Sequence, residues 1–302
     1  MGTHDYLDDP RNADILIDIN GDHMHRDDAK ISVFDSGFML GDGVWEGIRL
    51  HKGHLLFLDA HLDRLWSGAK ALDFTIGPDQ AALTERIHAL LRANAMTTDV
   101  HIRLMVTRGV KSTPYQHPKV TVTPPTIVII PEYKVPAEAP LVEGLRLFTA
   151  HVRRGAPDVQ DPKLNSHSKL NCILACIQAD KAGADEALML DPHGFVATCN
   201  STHFFIVRGG QVWTSSGNYC LPGITRATVL SLCRDNGIEA FEKDFSLYES
   251  YSAEEAFCTG TFAGLIPAVE IDGRVIGDGG RGPLTERLQG LYRALVEEAT
   301  AK

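Results

Sequence analysis

The sequence predicts a mixed α/β fold in two domains, and three observations carry that reading. At 302 residues the chain is long for one domain and comfortable for two. Apolar residues follow the two-residue period of strands in some segments and the 3.6-residue period of helices in others, and the two kinds are mixed along the chain. From Pro131 to Pro140, PEYKVPAEAP holds three prolines and no apolar period, which is the composition of a linker. The expected division is a small N-terminal α/β domain over 1–130, a linker over 131–140 and a larger C-terminal α/β domain over 141–302.

Taken in order, ILIDIN (15–20) and KISVF (30–34) predict the two strands of a hairpin. The glycines at 37, 41, 43 and 47 suit turns and close backbone approach rather than helix. Val44 to Leu50 reads as a strand, His51 to His54 as a turn and Leu58 to Ala71 as an amphipathic helix. Pro78 opens a second helix reaching about Asn94, because Leu83, Ile87, Leu90 and Leu91 fall on one face. His101 to Thr107 alternates like a strand, and Thr126 to Ile130 is apolar enough to be central. The intervening Gly109 to Pro125 is rich in proline, serine and threonine, and its length predicts a lid or a substrate wall. Beyond the linker, short strands are expected at 145–150, 187–190, 203–207, 211–214, 256–259 and 268–271. Helices are expected at about 170–182, 225–236 and 283–299.

Composition narrows the function. A net charge of −10 without a basic cluster argues against nucleic acid as a partner. The acidic N-terminus lacks the basic-then-apolar order of a secretory signal, and no apolar run is long enough to cross a bilayer, so a cytoplasmic protein with no membrane partner is expected. The six cysteines form no CxxC pair and read as buried small hydrophobes, and no metal site is expected.

The chemistry centres on Asp161 to Asp191, DPKLNSHSKLNCILACIQADKAGADEALMLD, where a lysine-bearing segment leads into a helix and then a buried strand. Lysine forms a Schiff base with an aldehyde, and pyridoxal phosphate enzymes combine such a lysine with a cup for the phosphate and a partner for the ring nitrogen. Five motifs surround it in order. They are Asp35-x-Gly37, Gly41-Asp42-Gly43-Val44-Trp45-Glu46-Gly47-Ile48-Arg49, His61-x-x-Arg64-Leu65, Leu221-Pro222-Gly223-Ile224-Thr225-Arg226 and Thr259-Gly260-Thr261. Together they resemble the fold type IV pyridoxal phosphate enzymes, most closely the branched-chain aminotransferase-like group, from about residue 13 to 290.

That resemblance implies a pyridoxal 5'-phosphate cofactor in a cleft between the two domains, a homodimer, and small-molecule substrates, an amino donor and a 2-oxo acid. Ile224 and Thr225, at a helix opened by Gly223, are expected to give backbone amides to the phosphate. Thr261 adds a hydroxyl, Arg64 a forked charge-assisted pair, and Leu221 lies against the ring. Trp45, Gly47, Tyr115, Phe262 and Ala263 are implied on the substrate side.

Two positions depart from the family pattern. Counting back from Gly183-Ala184, the Schiff-base lysine falls on Asn165, which cannot form that bond. Lys169, four residues later, is the better candidate, and Lys163, about 6–7 Å back along a strand, is the other. Thr198 stands where the family has the glutamate that keeps the ring nitrogen protonated. The expected function is therefore an aminotransferase using Lys169. The alternatives are a homologue that binds the cofactor or another phosphorylated ligand without a covalent link, and a lyase on the same cofactor.

Overall fold

The computed structural model describes residues 6–301, which form two compact units. The first comprises Leu7–Val135 together with Leu164–Lys169. Its elements in chain order are β1 (Leu16–Ile19), β2 (Asp22–His25), α1 (Ser36–Leu40), β3 (Gly43–His51), β4 (His54–Leu56), α2 (Leu58–Ala71), α3 (Gln80–Ala93), β5 (Val100–Thr107) and β6 (Thr126–Tyr133). The strands make one antiparallel sheet in the order β2-β1-β6-β5-β3-β4.

Strand β3 shows why this sheet has two different faces. Side chains alternate along a strand, so Val44, Glu46, Ile48 and Leu50 are buried while Trp45, Gly47 and Arg49 stand on the other, partly open face. The buried side packs with Leu62, Leu65, Leu83, Ile87, Leu90 and Leu91 of α2 and α3 in one core. Full burial of each such side chain contributes roughly 1.5–3 kcal/mol.

The hairpin at the start differs from expectation. Strand β1 pairs with β2, not with residues 30–34, because Asn20 and Gly21 both take positive φ (56° and 99°) and close a two-residue turn. The glycine-bearing segment before β3 also forms a short helix, α1, whose N-cap Asp35 accepts from Gly37 N at 2.8 Å and whose C-cap Gly41 is left-handed at φ 69°.

The second unit comprises, among the described residues, Tyr6, Pro136–Lys163 and 170–301. Its elements are α4 (Glu138–Glu143), β7 (Leu145–Thr149), α5 (Pro157–Gln160), α6 (Leu170–Lys181), β8 (Glu186–Leu190), β9 (Val196–Cys199), β10 (His203–Arg208), β11 (Gln211–Thr214), α7 (Ile224–Asp235), β12 (Ala240–Glu242), α8 (Leu247–Tyr251), β13 (Glu255–Gly260), β14 (Gly264–Ile271), β15 (Arg274–Val275) and α9 (Pro283–Thr300). The main sheet runs β12-β11-β10-β13-β14-β7-β8-β9, and β15 pairs with β14. The β14–β7, β7–β8 and β11–β12 pairs are parallel and the others antiparallel. Strands β8 and β9 are buried at every residue, as expected of strands covered on both faces. No helix among the described residues is long and apolar enough to cross a membrane.

Candidate active site

In the N-terminal unit the site is built on β3 and on the returning segment 164–169. Asn165 O accepts from Trp45 N at 3.0 Å, and His167 N donates to Gly43 O at 3.0 Å, so the segment lies against β3 at Gly43–Trp45, ahead of the stretch that β4 pairs. The approach is close enough to require glycine. A Cβ on Gly43 would sit 2.6 Å from Val106 O and 3.1 Å from the His167 ring.

Asn165 is buried, and its orientation is set by what it meets. Its Nδ2 donates to Trp45 O at 2.6 Å and lies 3.5 Å from Glu46 Oε1. The amide oxygen therefore faces Lys169, whose Nζ donates to it at 3.0 Å. Lys169 Nζ also lies 5.2 Å from the centre of the Trp45 ring, within cation–π range. The lysine four residues on thus brings its amine to the Asn165 side chain. His167 donates through Nε2 to Val44 O at 3.0 Å, and burial, opposed by that bond, lowers its pKa.

Behind Trp45, the Glu46 carboxylate is fully buried and, besides the 3.5 Å contact from Asn165, is held from helix α2. Arg64 Nε donates to Oε1 at 2.8 Å, Arg64 Nη2 to Oε2 at 2.7 Å, and His61 Nδ1 to Oε2 at 2.7 Å. His61 and Arg64 reach one carboxylate because residues three apart share a helix face. Burial pushes the Glu46 carboxyl up, but the Arg64 and His61 hydrogen bonds outweigh it and hold its pKa below the ordinary value. Arg64 is fixed in orientation by this fork, a pairing that the family motif alone did not reveal.

Arg103 was also missed in the sequence. It lies opposite Gly47 in the β3–β5 register, and its guanidinium stacks over Trp45 at 4.3 Å from the ring centre. The signal was there in the alternation of HIRLMVT, which puts Arg103 on the open face with Trp45 and Gly47. Burial lowers its pKa, with Glu132 acting in the opposite direction. Tyr115 sits in the 109–125 loop, about half exposed and stacked on His117 at 6.4 Å.

In the C-terminal unit, α7 begins at Ile224 with Gly223 as N-cap and no side-chain cap. Its first-turn amides point along the axis without a capping side chain, and no acidic residue lies in that turn, the arrangement that suits an anion. Thr225 is buried beside them, and Leu221 is half-buried just upstream. Thr261, Phe262 and Ala263 form the connection between β13 and β14, closed by the Gly260–Gly264 pair, with Phe262 buried. Thr198 lies on β9, buried, and donates to Thr202 O at 2.8 Å. Lys163 also belongs to this unit and is exposed, its backbone N bonded to Asp161 Oδ1 at 2.9 Å.

Comparison with known proteins gives this geometry its context. The profile of the family described as "Amino-transferase class IV" matches residues 43–271. "Branched-chain-amino-acid aminotransferase-like protein 2" of Arabidopsis thaliana is 42% identical over 95% of this chain, and the match covers 51% of that protein. The chain therefore spans about half the length of that relative. The "Putative branched-chain-amino-acid aminotransferase" of Methanocaldococcus jannaschii is 40% identical, with 91% of this chain and 94% of that one covered. Among solved structures, a T.th. branched-chain amino acid aminotransferase complexed with N-(5'-phosphopyridoxyl)-L-glutamate superposes with a TM-score of 0.86 at 30% identity, covering 95% of each chain. The mixed α/β fold is that of the fold type IV enzymes, and the chain belongs to the class IV aminotransferase family.

Proposed function

We propose that this chain binds pyridoxal 5'-phosphate and transfers an amino group between an amino acid or amine and a 2-oxo acid, with Lys169 as the covalent attachment point. The observation that carries the reading is the 3.0 Å contact from Lys169 Nζ to Asn165 Oδ1. Asn165 cannot bond to an aldehyde, but it anchors an amine that can.

The donor set fits the cofactor. The uncapped α7 amides and Thr225 suit a phosphate, and the family resemblance implies Thr261 for the same group; Arg64, which the resemblance also implies, directs its Nε and Nη2 at Glu46 instead. When bound, the cofactor supplies an electrophilic aldehyde and an electron-accepting ring. The chain does the rest. Asn165 holds Lys169 Nζ against Trp45, where it can carry a proton between substrate and cofactor. Trp45, Gly47 and Arg103 make one wall, and the Arg103 guanidinium suits a substrate carboxylate. Phe262 and Ala263 at the β13–β14 connection, and Tyr115 in the 109–125 loop, complete the assignment on the substrate side.

We further assign the chain to a homodimer in the cytoplasm. Leu170, Ile173, Leu174 and Ile177 form an exposed apolar row along α6 at helical spacing, which a second copy can cover. All six cysteines are unpaired, as suits a reducing compartment.

The test is an absorption titration with pyridoxal 5'-phosphate followed by addition of amino donors. The expected result is a near-visible band that an active donor bleaches. Saturable binding without such a band would instead favour a protein that holds the cofactor noncovalently, the reading that Asn165 keeps open.

A further inference from the structure

The first turn of α7 carries Arg226 as well as the amides assigned to the phosphate, and Arg226 begins a line of polar contacts through the interior of the C-terminal unit. Its Nε donates to His203 Nε2 at 2.9 Å. Its Nη2 donates to Ser215 O at 2.7 Å and pairs with Glu242 Oε1 at 2.5 Å. Beyond His203, the imidazole Nδ1 faces Thr198 Oγ1 at 3.5 Å. Arg226, His203 and Thr198 are 8%, 5% and 6% exposed, so all three are shielded from bulk water.

Proton bookkeeping fixes the direction of each bond. A guanidinium does not lose its protons, so the Arg226 Nε–H needs a bare acceptor. His203 Nε2 is therefore unprotonated, and the ring proton sits on Nδ1, directed at Thr198. Thr214 Oγ1 lies 2.8 Å from the same Nε2 and has one proton, which it gives to Phe204 O at 2.8 Å, so it is the Arg226 Nε–H that fills the Nε2 lone pair. Burial and then the Arg226 charge lower the His203 pKa well below its ordinary value, so the imidazole stays neutral. At the end of the line, Thr198 has one hydroxyl proton and gives it to Thr202 O at 2.8 Å.

The line thus runs cation, neutral imidazole, hydroxyl. Its carboxylate, Glu242, contacts Arg226 at the start. Glu186, the buried carboxylate near this turn, binds it through Oε1 alone, accepting from the backbone N–H and hydroxyl of both Ser201 and Thr202, while its Oε2 is buried without a hydrogen-bond partner and makes no hydrogen bond with Thr198 or His203. A buried pyridinium needs an anionic acceptor beside it. Thr198 offers an oxygen that already faces the His203 N–H and a proton that is committed elsewhere.

We propose that Arg226 and His203 are positioning residues that fix Thr198 in this state, and that the ring nitrogen of bound pyridoxal 5'-phosphate is held unprotonated in this chain. The inference rests on the proposed cofactor and on Thr198 as the residue facing the ring nitrogen. A neutral ring withdraws electrons less strongly than a pyridinium, so this chain depends more on Lys169 for proton transfer and less on the ring as a sink.

The test uses pyridoxal 5'-phosphate labelled with ¹⁵N in the ring, bound to the full chain, with ³¹P resonances reporting occupancy. The expected ¹⁵N resonance is that of an unprotonated pyridine across neutral pH, and Thr198→Glu moves it to the pyridinium position. A bound cofactor with a pyridinium resonance in the native chain overturns the inference while leaving the proposed cofactor intact. An unshifted ³¹P resonance, meaning no binding, overturns both. His203→Ala, which frees the Thr198 hydroxyl to turn toward the ring, should shift the ¹⁵N resonance of the bound cofactor, whereas a purely structural role for His203 leaves it unshifted; the native chain decides the protonation of the ring if Thr198→Glu does not fold.

Discussion

The two units meet the loss of a reactive group in different ways. In the N-terminal unit, counting back from Gly183-Ala184 sets Asn165 where the family resemblance implies a lysine, and a lysine four residues on reaches that side chain at 3.0 Å. In the C-terminal unit, Thr198 stands where the family resemblance implies a glutamate, and the groups that line up with it are an imidazole and a guanidinium. An amine on a long flexible stem can be delivered from a neighbouring position. A buried negative charge is harder to replace, because its field must come from an anion at the same place. Reach is transferable along a chain, whereas local charge is not.

The largest expected effect tests the first half of that contrast. Lys169→Ala should abolish covalent cofactor attachment and lower the rate of amino transfer by on the order of 10²–10⁴-fold. Adding Asn165→Lys to Lys169→Ala should restore attachment, because the position stays pinned to Trp45 by the backbone. Failure of that rescue, with cofactor still bound, would mean that position 165 no longer faces the aldehyde.

Next in size is the buried carboxylate behind Trp45. Glu46→Gln leaves the Arg64 guanidinium without its counter-charge and should destabilise the fold by about 3–5 kcal/mol in urea unfolding. Its pH dependence follows from the lowered Glu46 pKa. The native carboxyl holds its proton less tightly than the unfolded one, so this stability is present above the ordinary carboxylate range and is lost as pH falls through the native pKa. His203 has a lowered pKa too, but as a base. The unfolded state binds its proton first, so stability falls as pH drops below about 6.5. Loss of stability should therefore begin in the histidine range and steepen in the carboxylate range. Glu46→Gln should remove its share of the second phase only.

Smaller effects belong to the substrate wall. Arg103→Leu should raise KM for a carboxylate substrate by about 10–100-fold with a lesser change in kcat, since a hydrogen-bonded charge is worth about 1.5–3 kcal/mol. Trp45→Phe weakens the ring that Arg103 and Lys169 share, about 0.5–1 kcal/mol, and should change KM by only roughly two- to fivefold.

Much of this was legible in the sequence where the information is local. The apolar spacing of α2 and α3 and the alternation of β3 and β5 place those elements with the expected faces. The Pro-Gly-Ile-Thr-Arg motif marks the start of α7. What escaped depends on distant residues or on backbone conformation. The partner of β1 was misread because the Asn20-Gly21 turn closes a shorter hairpin than the apolar pattern of 30–34 implies. Helix α1 was hidden by glycines that serve as its cap and its close contacts. The Glu46 fork and the Arg226–His203 contact join positions 18 and 23 residues apart across different elements, and no periodicity marks such a pair.

The central claim is that Lys169 has taken over attachment of the cofactor, and borohydride reduction of the protein with pyridoxal 5'-phosphate, followed by peptide mapping, tests it most directly. The account predicts stable label on Lys169 and none on Lys163. Label on Lys163, or saturable binding with no covalent label at all, would contradict it.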